Sequence, residues 1–236
     1  MKFFRFNAGL AAILIGVAMV FRPAEDTGAF ANSGFIALTI AEAAIVVYWA
    51  TVGRLLARVR PAIAAVAIVA GVIALVAQAL AAAGSGGTSQ ALAVTSFITS
   101  AAMLGGACTA MILGHWYLVL PSMPVTHLQK IVKFHIVALL VRIVVVGVTV
   151  YVAFATWPPE GGPSFRHYIT SFNGIFFWMR VLFGLAAPVL LSYMTWETAK
   201  IQSTQSATGI LYVDLFTVVV GEVLAVQVFL ERGVPL

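Results

Sequence analysis

The sequence predicts an all-α, polytopic integral membrane bundle of about seven transmembrane helices, with its N-terminus cytoplasmic and its C-terminus outside. Three observations carry that prediction. The 236 residues are 62% hydrophobic and 9% charged, with a mean hydropathy of +1.05, whereas a water-facing domain carries roughly 25% charged residues. Apolar stretches near the length of about 20 residues that a spanning helix needs recur along the whole chain. None shows the alternating segments of about 10 residues expected of a membrane β-barrel, the other structure that satisfies its backbone in hydrocarbon.

The segments, in order, are about 3–21, 30–52, 61–83, 91–120, 128–155, 173–195 and 209–230. The first opens on Lys2 and Arg5 and ends in Arg22-Pro23-Ala24-Glu25-Asp26; together with Ala29-Phe30-Ala31 it also fits a secretory signal and its cleavage site. Arg58-Val59-Arg60-Pro61 separates the second from the third, and Gly84-Ser85-Gly86-Gly87 follows the third. Pro121 and Pro124 close the fourth, and Pro158-Pro159-Glu160-Gly161-Gly162-Pro163 follows the fifth. A small polar stretch, Gln202-Ser203-Thr204-Gln205-Ser206-Ala207-Thr208-Gly209, reads as a loop before the seventh, with Thr208 its candidate N-cap. Length suggests one domain over residues 1–236. An odd helix count without an internal repeat weakens an inverted-repeat transporter. A single cysteine, Cys108, excludes an intrachain disulfide and a cysteine metal cluster.

Orientation follows from the basic residues. One side of the membrane receives Lys2, Arg5, Arg54, Arg58, Arg60, Lys130, Lys133 and Lys200, and the other Arg22, Arg166 and Arg232. The basic side is the cytoplasm, so the high pI reflects topology and gives no support to nucleic-acid binding.

Ionisable groups within spans are costly, roughly 2.5–3.5 kcal/mol each on insertion scales, and mark function. At 1.5 Å of rise per residue they form two layers. His115, His135 and Asp214 fall about 8–10 Å from the cytoplasmic end, Glu42 about 15 Å, and Arg142, Arg180 and Glu222 about 20–22 Å. In the inner layer, Gly114-His115-Trp116-Tyr117 and Lys133-Phe134-His135 permit bis-histidine ligation of a b-type haem by His115 and His135, with Gly114 leaving room for the macrocycle. Equally, one histidine can bond a quinone carbonyl beside Trp116 and Tyr117, or the aromatics belong to the interfacial belt. In the outer layer Arg180 or Arg142 should bond Glu222, as an interhelical clamp or as a proton-accessible site. Asp214 is either a relay toward the cytoplasm or a helix-entrance hydrogen-bonding group.

Several classes are excluded. The seventh segment has no lysine for a retinal Schiff base, and no prenyltransferase, zinc-protease, serine-nucleophile or nucleotide-binding motif occurs.

Arg180, Gly184, Pro188 and then Gly221-Glu222 resemble the closing helices of the polysulfide and dimethyl sulfoxide reductase membrane-anchor family, over about 50 residues. Members of that family usually have eight or more helices and typically no haem, and their basic residue soon after Gly-Glu is delayed here to Arg232. The resemblance implies a quinone-reactive subunit partnering iron–sulfur and catalytic subunits, with Arg180 and Glu222 as the polar pair near the quinone path. The reading these observations favour is an integral inner-membrane subunit of an electron-transfer complex. It would contact lipid, anchor a soluble redox subunit and form a quinone site, with haem b as a further cofactor and protons handled by Glu222, Glu42 or Asp214. A transporter or channel subunit binding an ion at the Arg/Glu cluster, and a purely structural anchor, are the alternatives.

Overall fold

Helix α1 (Lys2–Val20), α2 (Ala29–Thr51), α3 (Arg60–Ala82), α4 (Gly87–Val119) and α5 (Thr126–Thr156) follow one another as the hydropathy predicts. After them come the short α6 (Phe165–Thr170), a 3₁₀ turn (Phe172–Gly174), α7 (Ile175–Val181), a π turn (Leu182–Ala186), α8 (Ala187–Lys200) and α9 (Thr204–Arg232). The computed structural model describes residues 2–21, 28–53, 58–83, 86–120, 123–156 and 165–236. Arg22 to Asp26, Arg54, Gly84-Ser85, Pro121 and residues 157–163 lie outside the described residues. Among the described residues there is no strand, and seven helical stretches are long and apolar enough to cross a membrane, Ile175–Lys200 counting as one. Many of their large apolar side chains, such as Ile68, Val144, Phe216 and Val223, are exposed on the outside of these helices, the surface that lipid solvates.

The chain, read from its length as one domain, packs as two compact units, 1–98 and 99–236, with the boundary inside α4. In the first unit, α2 buries Ala31, Gly34, Ala37 and Ala41, and α3 buries Ala70, Ala74 and Ala77. Lipid tails are as apolar as leucine, so close backbone approach by small residues is what drives this pairing. A Cβ added at Gly34 would lie 3.2 Å from Ala77 Cβ and 3.6 Å from Ala74 O. Gly34→Leu should therefore overpack the crossing by about 1–3 kcal/mol, read as a lowered unfolding midpoint in detergent; an unchanged midpoint would show that the two helices do not depend on this contact. Helix α1 buries no residue and leans on α2 through Gly9, where an added Cβ would be 2.9 Å from Trp49 Nε1. Arg5 stands 5.2 Å from the same indole, a cation–π contact.

In the second unit, the helix expected over 173–195 runs from Ile175 to Lys200 with a π turn inside it. Pro188 has no N–H, and its ring would collide with the Gly184 carbonyl in a regular helix; the π turn at Leu182–Ala186 widens the backbone there. The polar stretch before the seventh span also differs from its loop reading. Gln202 makes the turn with φ 59°, and α9 is already helical from Thr204. Thr208 is not an N-cap: it is buried in α9 and donates to Thr204 O at 2.7 Å. Packing of Ala207, Thr208 and Leu211 into the interior extends the helix beyond what local propensity supports. Gly233, with φ 67°, ends α9, and Val234 and Leu236 fold back into a core that includes Phe165, Tyr168, Phe177 and Val228.

Candidate functional site

Two buried polar clusters lie in the second unit. At the first, Arg142 of α5 and Arg180 of α7 converge on Glu222 of α9. Arg142 approaches side-on, Nη2 to Oε2 at 3.0 Å and Nε to Oε1 at 3.4 Å, while Arg180 Nη2 donates to Oε1 at 2.7 Å. Ser100 of α4 donates its hydroxyl to Oε2. Arg142 reaches further, through Nη1 to Thr99 Oγ1 at 3.4 Å and Nη2 to the Leu236 main-chain oxygen at 2.7 Å. The expectation that Arg180 or Arg142 bonds Glu222 is met by both at once. Four donors on one carboxylate fill its acceptor sites, and the network ties α4, α5, α7 and α9 together.

The arginines reach the acid because the backbone gives way. Arg180 sits two residues before the π turn, and a Cβ added at Gly184 would collide with Arg180 Nη1 and stand 2.7 Å from Gly221 Cα. Two glycines at one crossing let α9 come close to the π turn with Arg180 Nη1 lodged beside both. Arg180 Nε and Nη1 are buried without an acceptor among the described residues.

The second cluster is His135 of α5 with Asp214 of α9, at 1% and 0% side-chain exposure. Nδ1 lies 3.2 Å from the Met103 carbonyl, an acceptor that fixes a hydrogen on that nitrogen. Nε2 lies 2.9 Å from Asp214 Oδ2 but too far off axis for a directed hydrogen bond, and neither Asp214 oxygen has a hydrogen-bond donor among the described residues. The pair can hold one proton between Nε2 and the carboxylate. Ala138 and Leu139 of α5 and Val218 of α9, part of one apolar cluster, lie along the chain between it and the arginine cluster, about 12 Å away along α9 from Asp214 to Glu222.

His115 and His135 do not meet. Ring and backbone atoms of His135 pack against Gly106, where an added Cβ would be 3.3 Å away, and from Gly106 to His115 α4 rises about 13 Å. His115 is exposed and its Nδ1 lies 3.0 Å from Tyr212 Oη. Gly114 leaves no room for a macrocycle: a Cβ there would lie 3.1 Å from both Leu211 Cδ1 and Thr208 Oγ1, since α9 occupies that face. His135 is itself closed in between Met103 O and Asp214, and these residues do not fit bis-histidine haem. The depth matching failed because α4 and α5 are joined with an offset that helix rise alone cannot reveal. Among the described residues, no group of three or more His, Cys, Asp and Glu is arranged to hold a metal ion.

The remaining predicted residues scatter. Tyr117 is buried and donates to Pro124 O at 2.5 Å, tethering the α4–α5 turn; Trp116 is half-buried on the next position. Glu42 lies in the first unit, its Oε2 buried without a hydrogen-bond partner among the described residues and its Oε1 3.9 Å from where a Gly16 Cβ would stand. Ser100, Thr99, Tyr212 and the 233–236 segment were not anticipated. Hydroxyls in apolar helices carry no sequence signal of their partner, although Tyr212 two positions before Asp214 is a polar group at the same depth.

No protein-family model matches the sequence, and no curated protein or solved structure matches it either. The class defined by the fold is a multi-pass helical membrane protein with two buried ionisable clusters.

Proposed function

We propose that the chain is an integral subunit of an electron-transfer complex in the inner membrane, its residue 2 end cytoplasmic, receiving a quinone from the lipid while a soluble redox partner supplies electrons. The observation that supports this reading is the exposed His115–Tyr212 hydrogen bond between α4 and α9, two helices long and apolar enough to cross a membrane. A polar pair on a lipid-facing surface is costly unless it has a ligand, and a quinone carbonyl accepts from a phenol or an imidazole N–H. Reduction of the quinone consumes a pair of electrons from the partner and a pair of protons. His115 can pass each proton in turn to a ring oxygen and recover it from the nearby aqueous side.

The test is titration of the full chain in mild detergent with a short-chain quinone analogue, followed by quenching of Trp116. Tyr212→Phe and His115→Ala should each weaken binding by up to about tenfold, the effect of one hydrogen bond. Binding unchanged by both substitutions would remove this site from the reading.

A further inference from the structure

Four buried polar atoms gather at one height in the second unit without a hydrogen-bond partner among the described residues: His135 Nε2 of α5, both Asp214 carboxylate oxygens of α9, and Ser192 Oγ of α8. The height of Ser192 follows from the contact between Gly184 and Gly221. From that contact toward the turn at 201–203, Asp214 lies about 10 Å along α9 and Ser192 about 12 Å along its own span. Ser192 is 1% exposed, and α8, whose buried face it shares with Pro188, Thr195 and Ala199, packs against both α5 and α9.

We propose that His135 and Asp214 bind one proton, and that the Ser192 hydroxyl passes it between the pair and the α8–α9 turn. Nδ1 donates to the Met103 carbonyl, so a neutral His135 places a lone pair 2.9 Å from Asp214 Oδ2. A carboxylate at 0% exposure, donorless and beside a lone pair, is the least favourable state of this pair, and one proton makes the pair neutral as a whole. The charged and titratable groups on the surrounding helices are placed elsewhere. Lys133 of α5 is exposed, Lys200 bonds Glu197 on α8, Tyr212 of α9 meets His115, and Cys108 of α4 is half-buried. Arg142, Arg180 and Glu222 are engaged with one another further along α5, α7 and α9.

A proton on groups this buried leaves through a neighbour. Ser192 supplies a hydroxyl at the right height, and a hydroxyl gives its hydrogen to one side as it takes one from the other, ending unchanged. Toward the turn, the buried hydroxyls of Thr195 and Thr208 donate to Leu191 O and Thr204 O, which leaves their oxygen lone pairs to accept. In the other direction Ala138, Leu139 and Val218 are apolar. The site stands independently of where a quinone binds.

The test uses the full chain in mild detergent at neutral pH, with isotope-labelled histidine read by NMR and carboxyls read by infrared absorption. His135 should carry hydrogen on both ring nitrogens, or Asp214 should absorb as a protonated carboxyl, and Asp214→Asn should remove either signal. Slow exchange for deuterium distinguishes His135 from His115, His127 and His167, which are exposed. Ser192→Ala should keep the signal and slow that exchange by about a hundredfold, the lower end of what a positioned proton-transfer group contributes. A neutral His135 beside an ionised Asp214 overturns the proposal, and so does exchange at the wild-type rate in Ser192→Ala. If Asp214→Asn does not fold, His135→Gln assigns the signal in its place, and a wild-type chain with only neutral imidazoles and ionised carboxylates refutes the site outright.

Discussion

Glu222→Gln is expected to cost about 3–5 kcal/mol, the penalty of removing one partner from a buried ionic cluster, and to leave little monodisperse protein on size exclusion in detergent. The reason is electrostatic. Glu222 is the acid shared by Arg142 and Arg180, which are 1% and 0% exposed; an amide there leaves two guanidiniums facing each other in a low-dielectric interior. A triple change, Arg142→Met with Arg180→Met and Glu222→Leu, should restore folding, since apolar replacement of a whole buried cluster is often neutral or stabilising. Normal assembly of Glu222→Gln with loss of quinone turnover would instead assign Glu222 to proton transfer, and normal assembly with normal turnover would show that the cluster is not a clamp.

Gly221→Val should be as damaging through sterics alone. A Cβ at Gly221 would overlap Gly184 Cα and stand 2.9 Å from Gly184 N and 3.1 Å from Arg180 Nη1. Backbone cannot step aside as a flexible side chain does, so α9 must separate from the π turn, drawing Glu222 away from Arg180. Overpacking of a tight core costs typically 1–3 kcal/mol, and breaking the ion pair adds to it. Thermal unfolding in detergent reads the sum, and a midpoint within a degree or two of wild type would mean that the crossing is looser than the geometry requires.

What the sequence determined by itself is the number of spans, their approximate ends and the identity of the ionisable groups at depth. Hydropathy over about 20 residues is a local sum compared with a fixed bilayer thickness, and no distant residue changes it. Arg142, Arg180 and Glu222 were also legible as one layer, because a buried guanidinium demands an acid and few acids occur at that depth. What only the tertiary structure decided is which polar groups meet. His135 found Asp214 and Met103 O instead of His115, Glu42 stayed in the first unit, and Leu236 O reached Arg142. Partnership depends on the azimuth of each side chain and on the offset between helices. Both are set by small-residue contacts such as Gly106 on His135, Gly114 on Leu211 and Gly184 on Gly221, which join positions far apart in the chain and leave no periodic mark in either segment alone.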